Sequence, residues 1–218
     1  MRKVLAVSVA VLVCALATTV SAQDEGKGLT AKGFKVGLNL ANIAGSDVDV
    51  FKDAISDFTG LSASNKQLMG FAFGGFLTYN FSPTVALQPE FLYTMKGFTL
   101  SVEGLDVDFK MDYFEIPVLV KFMFGTGSAK PCLFAGPAMG ILVSAKMEAI
   151  GLSVDAKELW KSTDLGLVFG GGVDFPVGKG TMTVDGRYTM GMSKTPDSGD
   201  IDIDLKNSNI SFMVGYGF

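Results

Sequence analysis

The sequence predicts an all-β protein, an eight-stranded antiparallel up-and-down transmembrane β-barrel. In the last nine residues, Ile210, Phe212, Val214, Tyr216 and Phe218 alternate with smaller or less apolar residues. A period of two is typical of a strand whose faces meet different environments. Although 48% of the chain is hydrophobic, no run of about 20 apolar residues could form a spanning helix. The 27 glycines favour sheets with a crowded interior over helices.

Residues 1–22 have the organisation of a signal peptide. Arg2 and Lys3 precede an apolar run over 4–17, and small residues at 20–22 suit cleavage. The run is shorter than a comfortable membrane span, although an uncleaved anchor is the alternative. We therefore expect export through a cleaved signal peptide, a short N-terminal segment at 23–32 and one barrel domain at 33–218.

Eight segments have the alternation or apolar content of strands. They cover residues 33–41, 68–81, 85–96, 113–124, 132–145, 165–175, 182–191 and 210–218. The connections at 82–84, 125–130 and 176–180 are short, whereas those at 42–66, 97–112, 146–163 and 192–208 are long. This alternation is typical of outer-membrane barrels, whose long loops lie outside the cell. An even number of strands then places both termini on the periplasmic side.

A soluble, lipocalin-like barrel with its apolar face inward is the alternative fold. Such a barrel needs bulky charged residues on the outer face of every strand. Here the less apolar face is rich in Gly, Ala, Ser and Thr and carries few charges. Because an eight-stranded interior has room only for packed side chains, small residues inside and large apolar residues outside favour the lipid-facing barrel.

Four segments carry a resemblance to a known family: Leu-Gln-Pro-Glu-Phe-Leu-Tyr at 87–93, Tyr-Phe-Glu-Ile-Pro-Val-Leu-Val-Lys at 113–121, Leu-Phe-Ala-Gly-Pro at 133–137 and Asp-Gly-Arg-Tyr at 185–188. They resemble the small outer membrane beta-barrel family, also described as PorT-like, over nearly all of 30–218. The resemblance implies the fold and the outer membrane of a Gram-negative bacterium, and is uninformative about ligand. Pro89, Pro117 and Pro137 lie inside these strands, so we expect local bulges there.

The expected environment also implies partners. The outward face predicts contact with outer-membrane lipid. Tyr216 and Phe218 resemble the terminal aromatic pattern that the barrel-assembly machinery reads, so we expect them to form an assembly signal. The sequence does not specify a surface partner.

Parity places several charged side chains in the lumen, where charges must be paired and hydrogen-bonded. These residues are Lys35, Glu90, Lys96, Glu115, Lys121, Asp174, Asp185 and Arg187. Glu90 and Lys121 have nearly matching heights on neighbouring strands, as do Lys96 and Glu115. We therefore expect a connected interior polar network of Glu90, Lys96, Glu115, Lys121, Asp185 and Arg187. It either fills the interior without conduction or controls a proton or ion path.

The long loops contain two further patterns. Apolar residues at 50, 51, 54, 55 and 58 have roughly helical spacing and predict a short helix on the barrel rim. The acidic stretch 200–204 resembles half a calcium loop, but Leu205 stands where an EF-hand requires glycine. Its alternation instead suggests that the seventh–eighth hairpin extends beyond the membrane, as does the stretch 102–109. Weak surface calcium binding is the alternative.

The stretch Gly178-Lys179-Gly180-Thr181 invites comparison with a phosphate-binding loop. That motif needs glycine at 173 and Ser or Thr at 180, where this chain has Val173 and Gly180. No helix is predicted to follow. The stretch is therefore interpreted as a turn.

Composition excludes several functions. The chain has no histidine, which excludes Ser-His-Asp and Cys-His catalytic sites. Residues 1–22 contain two basic and no acidic residues, so the net charge moves from −4 to −6 after processing. No basic stripe could neutralise nucleic-acid phosphates. We expect no enzyme, cofactor or metal, but a structural or surface-interaction role with a filled, non-conducting interior. The alternative is a narrow pore or an accessory component of transport or protein secretion.

Overall fold

The structure, a computed structural model, describes residues 27–125, 127–196 and 203–218. The elements are β1 (Gly28–Ala44), α1 (Val48–Thr59), β2 (Ala63–Lys66), β3 (Leu68–Asn80), β4 (Val85–Val102), β5 (Leu105–Met123), β6 (Lys130–Ala149), β7 (Leu152–Asp155), a 3₁₀ turn (Lys157–Leu159), β8 (Thr163–Val177), β9 (Gly180–Gly191) and β10 (Lys206–Gly217). No helix in these described ranges is long and apolar enough to cross a membrane.

Eight of the strands close into an antiparallel ring. Its order is β1-β3-β4-β5-β6-β8-β9-β10, and β10 returns to β1. Each neighbour in the ring is also the next long strand in the chain, so the topology is up-and-down, as predicted. One end of the ring carries the short connections 81–84, 124–129 and 178–179, and we call it the short-turn end. The other end, with the remaining connections, is the long-loop end.

Side chains alternate around the ring as the sequence predicted. On β10, Phe212 and Val214 are exposed on the outer face, whereas Ser211 and Met213 are buried in the lumen. The sixth predicted strand behaves likewise, since Leu165 and Phe169 point outward. The fifth strand, whose facing the pattern left ambiguous, buries Cys132 and Phe134 and exposes Leu133.

The first strand begins earlier than expected. β1 starts at Gly28, so residues 28–32 of the predicted N-terminal segment 23–32 belong to the barrel. There Gly28 pairs with Asn80 and Leu29 with Tyr79, with a register shift before Ala31. The expected signal peptide, 1–22, lies outside the described residues.

The expected bulges at the three prolines are wrong. Pro89 pairs with Val118, Pro117 with Ala138 and Pro137 with Leu167, and the register is unchanged on either side of each. A proline removes one N–H donor, and a long ladder can omit one hydrogen bond without inserting a residue. In the described ladder of β5 with β6, the register shifts near Asp112 instead.

A projecting sheet continues beyond the ring at the long-loop end. It consists of β2, β7, residues 97–102 of β4, 105–112 of β5 and 144–149 of β6. Two-residue turns at Glu103-Gly104 and Ile150-Gly151 connect its strands, and all four residues have positive φ, as type I′ turns require. This confirms the predicted extension around 102–109.

The seventh–eighth connection does not form the predicted hairpin extension in its described parts. β9 ends at Gly191 and β10 begins at Lys206, and residues 192–196 and 203–205 are outside both strands. Instead, Pro196 forms an isolated bridge with Trp160. Residues 197–202 lie outside the described residues.

The rim helix predicted at 50–58 is present as α1. Its side chains Val48, Phe51 and Ile55 pack against buried apolar residues of the strands, including Ile43 and Phe98. The helix ends at Gly60, which has the left-handed conformation common after a helix (φ 71°). The first long loop therefore folds back over the long-loop end of the barrel.

Candidate functional site in the barrel lumen

The central lumen contains a buried four-residue ion cluster. The Lys35 ammonium lies 2.9 Å from Glu90 and 2.7 Å from Asp185. The Arg187 guanidinium donates to Glu90 at 2.6 Å and to Asp185 at 2.9 Å. All four are at most 5% exposed, and the Gln88 amide donates to Glu90 at 2.7 Å. Two cations balance two anions, as buried charges require.

A second cluster lies toward the long-loop end. The Lys96 ammonium is 3.2 Å from Glu115, a contact that the sequence predicted, and 3.3 Å from Asp164. The Asn207 amide donates to Asp164 at 2.9 Å and to the Tyr113 hydroxyl at 3.3 Å. The sequence reasoning missed Asp164 because the predicted sixth strand began one residue after it. Extending that strand by one position would have placed Asp164 on the inward face.

A separate ion pair lies near the short-turn end. The Lys121 ammonium contacts Asp174 at 2.6 Å, whereas the sequence predicted that it would contact Glu90. The register explains the error, because Lys121 pairs with Ala86, and Glu90 lies four residues further along β4, roughly 13 Å away.

The six residues of the expected network therefore do not form one connected set through the described contacts. Glu90, Asp185 and Arg187 belong to the central cluster, Lys96 and Glu115 to the second, and Lys121 to the separate pair. Each group has its own partners on other strands, so each can be perturbed separately.

An apolar cluster lies in the lumen beyond the second ion cluster. Its buried members are Ile43, Phe98, Leu100, Met111, Tyr113, Leu142, Ala145 and Leu205. The rings of Phe98 and Phe109 stack with centroids 4.7 Å apart, and the Trp160 ring lies 6.3 Å from each. Together with α1, these residues cover the long-loop end with apolar packing.

Polar contacts attach the start of α1 to the segment before β10. The Asp204 backbone N–H donates to the Asp47 carboxylate at 2.8 Å, and the Ser46 hydroxyl donates to the Asp204 carboxylate at 3.2 Å. A hydrogen bond from Lys206 and contacts with Ser46 lower the pKa of Asp204. Asp204 belongs to the stretch that resembles half a calcium loop, and in the structure its carboxylate accepts a hydrogen bond from Lys206. Asp200 and Asp202 lie outside the described residues.

The two residues of the expected assembly signal lie on the outer face where the ring closes. The Tyr216 hydroxyl donates to the Val177 carbonyl at 3.2 Å. The Phe218 N–H donates to the Lys32 carbonyl at 2.9 Å, and the Lys32 N–H donates back at 3.2 Å. The Phe218 ring lies 6.2 Å from that of Phe34. The contacts of Phe218 with Lys32 and Phe34 join the first and last strands of the ring.

The stretch interpreted as a turn rather than a phosphate-binding loop is a turn. Gly178 and Lys179 connect β8 to β9, and Gly178 has a positive φ of 63°. The chain continues from Gly180 as a strand rather than as the helix that a phosphate-binding loop requires.

Comparisons with known proteins assign the family. Residues 21–197 match the family model described as "Outer membrane protein beta-barrel domain". Comparison with curated protein sequences gave no match. Among solved structures, Neisserial surface protein A is 15% identical with a TM-score of 0.52, over 88% of this chain and 98% of that one. This likeness concerns the fold.

Two further solved structures are similar at lower TM-scores. Ail of Yersinia pestis is 18% identical over 88% of this chain and 99% of its own, with a TM-score of 0.44. OprG from Pseudomonas aeruginosa is 14% identical over 92% and 99%, with a TM-score of 0.47. The finer PorT-like resemblance stays a prediction. On the family match and the closed ring of eight strands, the chain belongs to the outer membrane protein beta-barrel domain family and is a protein of the bacterial outer membrane.

Proposed function

We propose that this protein is an integral outer-membrane barrel with a structural or surface-interaction role, and that its lumen does not conduct ions. The observation that supports this most strongly is the sequence of barriers along the lumen. An ion must pass the Lys121–Asp174 pair, the central cluster around Glu90 and the cluster around Lys96. It then meets the apolar cluster beneath α1.

The two kinds of barrier oppose conduction for different physical reasons. The clusters around Glu90 and Lys96 are buried among mutual hydrogen bonds, so an ion that displaced one partner would leave the other uncompensated. Apart from the Tyr113 hydroxyl, the buried side chains of the apolar cluster offer no oxygen or nitrogen atoms to replace the hydration shell of a permeating ion, and apolar constrictions exclude water. Either barrier supports a closed lumen.

The long-loop end is proposed to lie outside the cell and both termini on the periplasmic side, following the usual orientation of such barrels. Export would use a cleaved signal peptide at residues 1–22. The projecting sheet would then stand above the outer leaflet. Its tips expose Leu105, Ile150 and Leu152, which are 46%, 79% and 72% exposed. Exposed apolar residues at a protruding edge support a role in surface contact.

We also propose that the protein is not an enzyme. The chain has no histidine to act as general base. The buried carboxylates of Glu90, Asp185 and Asp164 are engaged by cations or amides, which supports a structural role for these groups.

Conductance of the purified barrel in planar lipid bilayers tests the proposal. We expect no reproducible single-channel steps from the wild-type protein, under conditions in which a general porin conducts. The variant Glu115→Gln, which leaves Asp164 as the remaining carboxylate partner of Lys96, should remain silent because the apolar cluster still covers the long-loop end. Ion-selective steps from the wild type that change with this substitution would overturn the proposal and favour the narrow pore or transport component.

A further inference from the structure

The short-turn end of the barrel contains a cavity that lies on the short-turn side of the central ion cluster. Its volume is about 400 Å³, within the range of about 300–1,000 Å³ that is usual for small-molecule sites. Side chains from several strands converge on it, including Phe76, Asn80, Lys121, Lys130, Asp174 and Thr183. The cavity opens between the short turns, at the end that carries Phe218.

The cavity offers hydrogen-bond acceptors that have no donor among the described residues. Asp174 uses one carboxylate oxygen on Lys121, and its other oxygen, Oδ1, is buried without a partner. The Asn80 side-chain oxygen is likewise buried and unpartnered. Buried polar atoms are normally hydrogen-bonded, so these two oxygens favour an occupant that donates hydrogen bonds. An ammonium group is the strongest such donor, since Asp174 is charged.

The same cavity offers donors beside these acceptors. An ammonium side chain has three N–H donors, and Asp174 accepts one from Lys121. Lys130 lies on the rim, opposite Asp174 in the pairing of β6 with β8. Two cations and one carboxylate at one mouth suit a ligand that carries a carboxylate as well as an ammonium. The Phe76 ring adds an apolar wall.

The inner wall of the cavity is held by the central cluster. Gln88 lines the cavity, and its amide donates to Glu90, while its side-chain oxygen accepts from Thr78 at 3.3 Å. Lys35, beyond it, lies 5.4 Å from the centroid of the Phe76 ring. The cavity is therefore a vestibule with a fixed inner wall, and occupation of it does not require the lumen to conduct.

We propose that this vestibule binds a small zwitterion of amino-acid or dipeptide size. The ligand ammonium would lie on Asp174 Oδ1 and the Asn80 side-chain oxygen, and its carboxylate on Lys121 and Lys130. In the proposed orientation the vestibule faces the periplasm. The site is independent of the surface role, since it lies at the opposite end from the projecting sheet.

The test is a titration of the full mature barrel, folded in detergent micelles, with the dipeptide alanyl-alanine. Backbone amide NMR shifts should saturate at Asn80, Asp174 and Thr183 and should not change around Asp106, at the other end. N-acetyl-alanyl-alanine lacks the ammonium and alanyl-alaninamide lacks the carboxylate. Each should bind at least about tenfold more weakly, since one charge-assisted contact is lost.

Two variants and a matched control complete the test. Asp174→Asn should weaken dipeptide binding at least about tenfold, and Asn80→Ala, which leaves the Lys121–Asp174 pair intact, should weaken it in the same direction. Asp106→Asn also removes one carboxylate and should change nothing. Heat-modifiable gel mobility shows whether Asp174→Asn folds. If it does not, Asn80→Ala and the two blocked dipeptides test the proposal in its place. Absence of saturable shifts, or equal binding by blocked and free dipeptides, overturns the proposal.

Discussion

Strand register decides which charges inside the barrel meet. Lys121 and Glu90 both point inward from neighbouring strands, but pairing of Lys121 with Ala86 separates them. Asp174 reaches Lys121 from β8, which β6 separates from β5 in the ring. A narrow barrel brings non-adjacent strands within side-chain reach, so contacts across the lumen compete with contacts along a hairpin. The ion-pair partner of a charged residue in this lumen therefore cannot be predicted from the neighbouring strand alone.

The isolated Lys121–Asp174 pair permits a clean double-mutant cycle. Lys121→Met or Asp174→Leu alone leaves a charge in a largely buried site and should cost roughly 3–5 kcal/mol if the site is dry. Access of water from the vestibule would reduce that cost. The double variant should cost less than the sum of the single changes, with a coupling of about 0.5–3 kcal/mol. Urea unfolding of the barrel in lipid vesicles measures all three.

A second cycle provides the control. Glu115 and Lys121 lie six residues apart on β5, a separation of roughly 20 Å, and their ion-pair partners differ. The effects of Glu115→Gln and Lys121→Met should therefore add within about 0.5 kcal/mol. Strong coupling between these two would restore the single connected network expected from the sequence.

At the scale of the strands, alternation alone was sufficient to assign the faces of β5, although it left the facing of β6 ambiguous. Period-two patterning placed Phe114, Val118 and Val120 outward and Glu115 and Lys121 inward, as observed on β5. When the inward positions of a strand are apolar as well as the outward ones, alternation no longer shows where the strand ends. Phe98 and Leu100 point into the apolar cluster, so the pattern continues past the ring and the projecting sheet was only partly foreseen.

The parts that the sequence did not predict depend on long-range geometry. The ion-pair partner of Lys121 follows from the closed ring, and the cavity at the short-turn end follows from how the eight strands of the ring converge. The prolines at 89, 117 and 137 led to a wrong prediction of bulges. The rule that proline disrupts a strand interior is local, and it does not include the neighbouring strand pairings that hold the register here. α1 was predictable because its helical periodicity is local.

The facing of β5 can be tested by placing a charge on its outer face. Val118 lies near the middle of the part of β5 that belongs to the ring, where it pairs with Pro89. Val118→Arg should destabilise the barrel in lipid vesicles by about 2–4 kcal/mol, because the guanidinium enters the hydrocarbon near the midplane. Equilibrium unfolding with urea measures the change.

Two substitutions separate the lipid effect from packing. Val118→Leu keeps the position apolar and should change stability by less than about 1.5 kcal/mol. Leu119→Arg lies on the opposite face, where Leu119 is fully buried, and reports overpacking of the lumen. If Val118→Arg were as stable as wild type, the assignment of faces on β5 would be wrong, because a shift of one residue exchanges the faces.

For the whole molecule, the decisive step is closure of the ring between its first and last strands. β1 and β10 are the most distant strands in the sequence, yet they pair continuously from Gly33–Gly217 to Ala44–Lys206. Phe218 extends this seam through two backbone hydrogen bonds with Lys32. Closure leaves no free edge in the ring, which is the condition for a sheet to span a bilayer.

The expected assembly signal can be separated from ring closure by two changes at Phe218. Deletion removes both the aromatic ring and the backbone contacts with Lys32, whereas Phe218→Ala removes the ring alone. If the barrel-assembly machinery reads the ring, both variants should accumulate less folded barrel in the outer membrane and more periplasmic degradation product. In lipid vesicles without that machinery, Phe218→Ala should fold nearly as well as wild type, because its backbone contacts remain.

Heat-modifiable gel mobility measures folding of both Phe218 variants, in cells and in vesicles. Normal levels of both variants in cells would refute the signal, and an equal defect of Phe218→Ala in vesicles would assign the ring to closure alone.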